Sequence, residues 1–259
     1  IGNHKGAPMI GYSMLLINNN RSKAYLQNLI KNGLIPAKII LLNDKNIDLP
    51  EHTENDKIIS KDTNQKFIRK LDDLDISFDE KEHVLSTIEK NNINYIVIDT
   101  LDINAVEVVE EVSKISTEYI VYSGPGGTIL RKDILSKGKK FIHVHPGWLP
   151  KYRGSTTIYY SMLINSEVGA SVILFEEGID EGPILYKKIY KIKEKGIDFD
   201  YVLDPLVRAK TLVEFFKQKN INLTIQEKCK NANTFYIVHP FIKHASILKY
   251  NKKSRLLNV

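Results

Sequence analysis

Residues 140–154, KFIHVHPGWLPKYRG, constrain the fold of this chain more than any other stretch. Phe141, Ile142 and Val144 form a short apolar run that suits a strand buried on both faces of a parallel sheet. Pro146-Gly147 cannot continue a strand ladder and forces a turn. His143 and His145 therefore stand at the C-terminal end of a central strand, the end at which open α/β sheets bind ligands. Strand residues two apart share a face, so both imidazoles project the same way. One histidine in such a place reads as a packed core residue or a loop cap. Two on one face, followed by Pro-Gly and a basic loop closing on Gly154, point to a site.

The elements before this strand alternate. YSMLLI (residues 12–17) predicts a first strand, followed by an Asn-rich turn. Ser22 is the expected N-cap of a helix that runs to Asn32 and ends at Gly33, and residues 39–42 predict a second strand. This βαβ opening predicts an α/β, Rossmann-like fold with a mostly parallel sheet flanked by helices. The first βα turn lacks G-x-G-x-x-G, so dinucleotide binding is not supported. Asn18, Asn20 and Arg21 form either a plain turn or a holder for a ligand's polar groups at a helix N-terminus. Residues 45–57 read as a surface loop, 63–74 and 79–90 as helices (the second capped by Asp79), and 95–98 as a buried strand. Residues 104–115 read as an amphipathic helix on Val106, Val109 and Val112, and 119–122 as a strand. That strand runs into Ser123-Gly124-Pro125-Gly126-Gly127, then a short helix to Leu135. The glycines are either an ordinary turn or a place where backbone closely approaches a ligand.

After the histidine strand and its loop, residues 155–163 predict a helix and 169–174 a strand. Glu176–Gly182 is an acidic, glycine-bounded loop, and residues 184–190 predict a strand antiparallel to 169–174 because the connection is short. A long helix over 201–218 carries Arg208. Short strands at 222–226 and 235–238, a closing turn and helix over 239–248, and a basic tail from Asn251 complete the chain. The expected division is a main domain over 9–190 and a small C-terminal extension over 191–259 packed on it, with residues 1–8 left outside the fold.

Composition narrows the function classes. A single cysteine, Cys229, excludes an intrachain disulfide framework and fits a reducing compartment. No apolar run approaches a membrane span, so a cytoplasmic location is the expectation. The net charge is +6, but lysines and arginines are dispersed among acids. That argues against a dedicated nucleic-acid surface and leaves room for an anionic small-molecule partner.

HVHPGWLPKYRG (143–154) followed by GIDEGPIL (178–185) resembles the 10-formyltetrahydrofolate-dependent formyltransferases. That superfamily includes glycinamide ribonucleotide, methionyl-tRNA and sugar N-formyltransferases, and its pattern is Asn-x-His-Pro-x-x-Leu-Pro, then a helix, a strand and Asp-x-Gly. The resemblance implies a catalytic His145 and Asp180, with His143 standing where the family has Asn. An imidazole N–H can replace an amide as donor to a developing oxyanion. It further implies 10-formyltetrahydrofolate as co-substrate, in a cleft lined by Gly124, Gly126, Gly127, Phe175, Glu177, Gly178 and Ile179. The acceptor's contacts would be Asn18, Arg21, Trp148, Lys151 and Arg153, and no metal is implied. A nucleotide-linked amino sugar is the preferred acceptor and homodimerisation is a further expectation. Two other readings stay open. One is a metal-dependent hydrolase using His-x-His completed by Asp180, His239 or His244. The other is a folate or nucleotide-sugar binder without activity.

Overall fold

The computed structural model describes residues 10–46, 67–176, 178–218, 224 and 233–253. The expected surface loop after Asp44 falls largely outside these residues, as do Glu177, Cys229 and, apart from Thr224, the strand expected over 222–226. Thr224 forms an isolated antiparallel bridge with Ile184.

β1 (Tyr12–Ile17), β2 (Ile39–Leu42), β5 (Tyr95–Ile98), β6 (Tyr119–Ser123) and β7 (Lys140–His145) pair in parallel. β9 (Val168–Leu174) adds antiparallel to β7, and β10 (Ile184–Tyr190) antiparallel to β9, giving a seven-stranded sheet in the order β10-β9-β7-β6-β1-β2-β5. Period-two alternation splits each strand between two cores. Met14, Leu16, Ile39, Leu41, Ile142 and Val144 face one side. Leu15, Ile40, Leu42, Ile120 and Phe141 face the other. The first side is covered by α1 (Asn20–Lys31) and α6 (Asp204–Phe216), through Leu26, Leu29, Leu206 and Leu212. The second is covered by α3 (Val106–Lys114) and the short α4 (Lys132–Leu135), through Val108, Val112 and Ile134. Each fully buried Leu or Ile contributes roughly 1.5–3 kcal/mol. Helix α6 thus packs into the same core as β1, although it lies in the segment expected as an extension.

Several local expectations give way. Of the helix expected over 63–74, residues 68–71 are instead β3 (Ile68–Leu71), joined through a single 3-10 turn (Asp72–Leu74) to β4 (Ile76–Asp79) as a hairpin. Asp75 turns the chain at φ 48°, and Ile76 and Phe78 are buried in alternation with Ser77 and Asp79. That period is two, and it selects strand. The following helix, α2, covers only Val84–Lys90, with His83 as its N-cap in place of Asp79. The N-cap of α1 is Asn19, whose side chain accepts from the Ser22 N–H. Ser22 lies one turn inside, its hydroxyl bonded to Ser123. β5 is an edge strand with Tyr95 exposed, so it is less buried than its apolar sequence suggests. The loop after Pro146 contains a further strand, β8 (Tyr152–Gly154), paired in parallel with β11 (Asn233–Phe235). α5 (Thr157–Asn165) precedes β9, and α7 (Pro240–Lys253) closes the described chain.

Candidate active site

β1 is the point where strand order reverses, with β2 on one side and β6 on the other. Crevices form at the carboxyl ends of strands at such a point. Arg21, one turn beyond β1, bridges it: Nε donates to Ser123 Oγ at 2.9 Å and Nη2 donates to the Gly124 carbonyl. From the adjacent helix α6, Arg208 donates through Nη1 to the Val144 carbonyl at 3.0 Å and through Nε to Asp204 at 2.9 Å. Both guanidiniums line a cavity of about 440 Å³ that also takes in His143, His145, Phe175 and Asp180.

His143, His145 and Asp180 come together here, their ligand-capable atoms all within 4.8 Å of one another. His145 is 1% exposed and faces acceptors at both nitrogens. Nε2 lies 2.6 Å from the Tyr152 carbonyl and Nδ1 lies 3.2 Å from Asp180 Oδ2. Gly147 packs against this ring: a Cβ there would lie 3.0 Å from His145 Nε2 and 2.9 Å from Thr157 Oγ1, which accounts for glycine after Pro146. Asp180 sits at φ 53°, a conformation in which an L-residue is strained. Its Oδ2 accepts the Gly154 N–H at 2.8 Å. Burial alone would raise the Asp180 carboxyl. The neighbouring His145, its hydrogen bond and the Gly154 N–H outweigh that and hold it well below the usual carboxylate range. His143 moves the opposite way in charge. Burial first, and then the positive charge of Arg208, push its imidazolium form out, so the ring is neutral at pH 7. Its plane is set by Phe175, stacked at 4.8 Å and 26°, and Phe175 in turn meets Tyr122 edge-on.

The other expected residues divide. Gly126, Gly127, Phe175, Gly178 and Ile179 line the cavity. Gly124 lies just behind it, its carbonyl taken by Arg21, and a Cβ there would strike the Tyr122 ring at 2.6 Å. Asn18 is exposed and accepts from the Val84 N–H, so it serves the start of α2 and not the cavity. Trp148 lies under Lys187, whose Nζ is 4.1 Å from its ring centroid. Lys151 is exposed beside Tyr152, and Arg153 pairs with Glu181 at 3.3 Å. None of these four is among the cavity-lining residues. His239 and His244 are exposed and are not part of the His143–His145–Asp180 group, so of the ligand sets in the metal reading only the one completed by Asp180 is brought together.

Sequence reasoning missed Arg208 and the Thr234–Ile237 wall as cavity residues. Arg208 had a signal: it is a charge set among Leu206, Val207, Ala209 and Leu212, all buried. Thr234–Ile237 had none, because parallel pairing with β8 brings them in from far along the chain.

A family model described as formyl transferase matches residues 55–199. The chain belongs to the formyl transferase family. Among curated relatives, methionyl-tRNA formyltransferase of Finegoldia magna is 31% identical over 168 residues, 62% of this chain and 52% of that protein. The corresponding protein of Nitratiruptor sp. is 28% identical over 67% of this chain and 52% of its own length. This formyl transferase family member thus spans about half the length of those relatives. Solved structures share the fold at low identity. An N-formyltransferase from Helicobacter canadensis, in complex with folinic acid and dTDP-3-aminofucose, aligns with a TM-score of 0.53 at 17% identity, over 93% of this chain and 80% of that one. Glycinamide ribonucleotide transformylase 1 of Symbiobacterium toebii aligns with a TM-score of 0.53 at 14% identity, over 85% of this chain and 95% of that one.

Proposed function

We propose that this chain transfers a formyl group from 10-formyltetrahydrofolate to the amine of a small anionic acceptor, a nucleotide-linked amino sugar. The observation that carries the reading is the grouping of a neutral His143, a doubly engaged His145 and an ionised Asp180 in one cavity. The amine nitrogen attacks the formyl carbon, and the carbonyl electron pair moves to oxygen. His143 donates its N–H to that oxygen, a role worth roughly 3–4 kcal/mol where such a donor has been removed from a hydrolase. The intermediate then collapses: the oxygen's electron pair re-forms the carbonyl, the C–N10 bond breaks, and the proton that Asp180 takes from the attacking nitrogen passes, with His145 as partner, to the leaving N10 of the folate.

The cavity suits the two ligands. Its volume lies in the range of small-molecule sites. Gly126 and Gly127, where an added Cβ would meet nothing within 4 Å, line it together with Phe175 and Ile179, and we assign these residues to the folate. Arg21 and Arg208 supply positive charge at the inner end, matched by Asp204, which suits an acceptor carrying phosphate. The H. canadensis enzyme, with folinic acid and an amino sugar nucleotide bound, supports the same pairing here. A second reading, methionyl-tRNA as acceptor, rests on the names of the curated relatives.

The test is direct. Purified protein is incubated with 10-formyltetrahydrofolate and either dTDP-3-aminofucose or charged initiator tRNA, and products are read by mass spectrometry. Formylated sugar nucleotide supports the proposal. Formylation of the tRNA alone replaces the acceptor, and no product from either amine removes the activity.

A further inference from the structure

β8 and β11 run in parallel with Thr234 opposite Arg153 and Phe235 opposite Gly154. The pairing continues beyond the strands. The Ser155 N–H donates to the Phe235 carbonyl at 2.8 Å, and the Val238 N–H donates to Thr156 Oγ1 at 2.9 Å. Phe235 is anchored inward, its ring 4.5 Å from that of Tyr160 and 5.6 Å from that of Tyr152. Tyr236 and Ile237, each 80% exposed, stand instead at the cavity mouth.

Gly154 is pinched between this segment and the acid. Its φ is +97°, and a Cβ there would lie 2.1 Å from the Phe235 carbonyl oxygen, so only glycine fits. Its own N–H points the other way, to Asp180 Oδ2 at 2.8 Å, the same oxygen that faces His145 Nδ1. The peptide groups on both sides of Gly154 are therefore committed. The N–H before its Cα holds Asp180, and the N–H after it, on Ser155, is held by Phe235. Asp180 occupies a strained backbone conformation and needs such a restraint to stay in place.

We propose that Phe235 is a positioning residue which, acting through Gly154, fixes the Asp180 carboxylate against His145. Its catalytic consequence rests on the formyl-transfer reading above; its geometric content does not. The fixed peptide presents a hydrogen-bond donor to one carboxylate oxygen, which leaves that oxygen on the His145 side. Loosening Phe235 frees Gly154 to rotate, and the carboxylate loses the donor that sets its angle.

The experiment uses the full chain, labelled with 15N at histidine side chains, and four variants. Phe235→Ala removes the ring anchor. Gly154→Ala drives a methyl into the Phe235 carbonyl and is an independent perturbation should the first variant unfold. Phe235→Tyr restores the anchor, and Asp180→Asn supplies the reference for a broken contact. The readouts are the His145 ring 15N resonances and the split between kcat and KM. The expected result is that Phe235→Ala and Gly154→Ala move the His145 resonances toward those of Asp180→Asn and lower kcat about tenfold with KM little changed, while Phe235→Tyr behaves as the parent. His145 resonances unchanged in the folded Phe235→Ala protein overturn the proposal, and, should that variant unfold, so do His145 resonances unchanged in Gly154→Ala. Absence of formyl transfer in the parent, with the resonance shifts as expected, overturns the proposed function and leaves the positioning role supported.

Discussion

At the residue scale, the informative position is His143. An imidazole differs from an amide as a donor, because it can gain a second proton and with it a charge, or as a neutral ring present its bare nitrogen. The site deals with the first problem through burial and Arg208, and with ring orientation through the stack on Phe175. His143→Asn should therefore change turnover only mildly, within about threefold, since one neutral donor replaces another. Formylation kinetics check this, and a loss of about 100-fold would assign His143 a role that no amide can fill. Asp180→Asn and His145→Ala should each reduce kcat at least about 100-fold with folding intact. Circular dichroism alongside steady-state rates separates the two effects. The pair of histidines was legible in the sequence because a strand's period is two and Pro146-Gly147 marks its end. Trp148, Lys151 and Arg153, expected as acceptor contacts, lie outside the cavity lining, because sequence adjacency to the histidines says nothing about direction once the loop turns back as β8.

At the element scale, the sheet end is shaped by backbone approaches that admit no side chain. A Cβ on Gly182 would lie 1.8 Å from the Leu174 carbonyl oxygen, so the loop carrying Asp180 returns to β10 hard against the end of β9. Gly182→Ala should destabilise the fold by about 1–3 kcal/mol. A lowered urea midpoint with an unchanged m-value checks it. The elements around the site were read correctly where the hydrophobic period was long and unbroken, as in β1, β6, β7 and β9. The β3–β4 hairpin was misread because only Leu71 of β3 is buried and the alternation is confined to the four residues of β4. Its turn, moreover, relies on Asp75 in a left-handed conformation and not on a glycine that would have announced it.

At the scale of the whole molecule, the same buried groups that prepare the site make the fold acid-sensitive. Asp180 has a folded-state value below its unfolded one, so it contributes stability that is complete above about pH 4 and is lost as pH falls toward the folded value. His143 is also lowered. The unfolded chain takes up a proton near pH 6.5 that the native ring refuses, so stability declines as pH drops below about 6.5. Between pH 6.5 and 5 the urea midpoint should fall, and His143→Asn should flatten that slope by up to one proton's worth, about 1.4 kcal/mol per pH unit. An unchanged slope would mean that the ring is protonated in the native state. The doubly wound architecture itself was visible from the βαβ opening, whereas the closing of the cavity by residues 234–237 was not. Nothing in local composition encodes a parallel pairing between segments so distant.

That distance carries a consequence for how the protein is made. The contact between Thr156 and Val238 joins residues 82 positions apart, and those from Arg21 to Ser123 and Gly124 join residues 102 and 103 apart. Long loops must close before such contacts repay their entropy, so they form late. During synthesis β1 to β9 can collapse into a sheet while β11 is still inside the ribosome. A nascent chain at that stage holds both histidines and Asp180, yet lacks the partner that fixes Gly154. Placement of Asp180 thus waits on the last part of the chain, as does completion of the core face to which α6 and Val238 contribute.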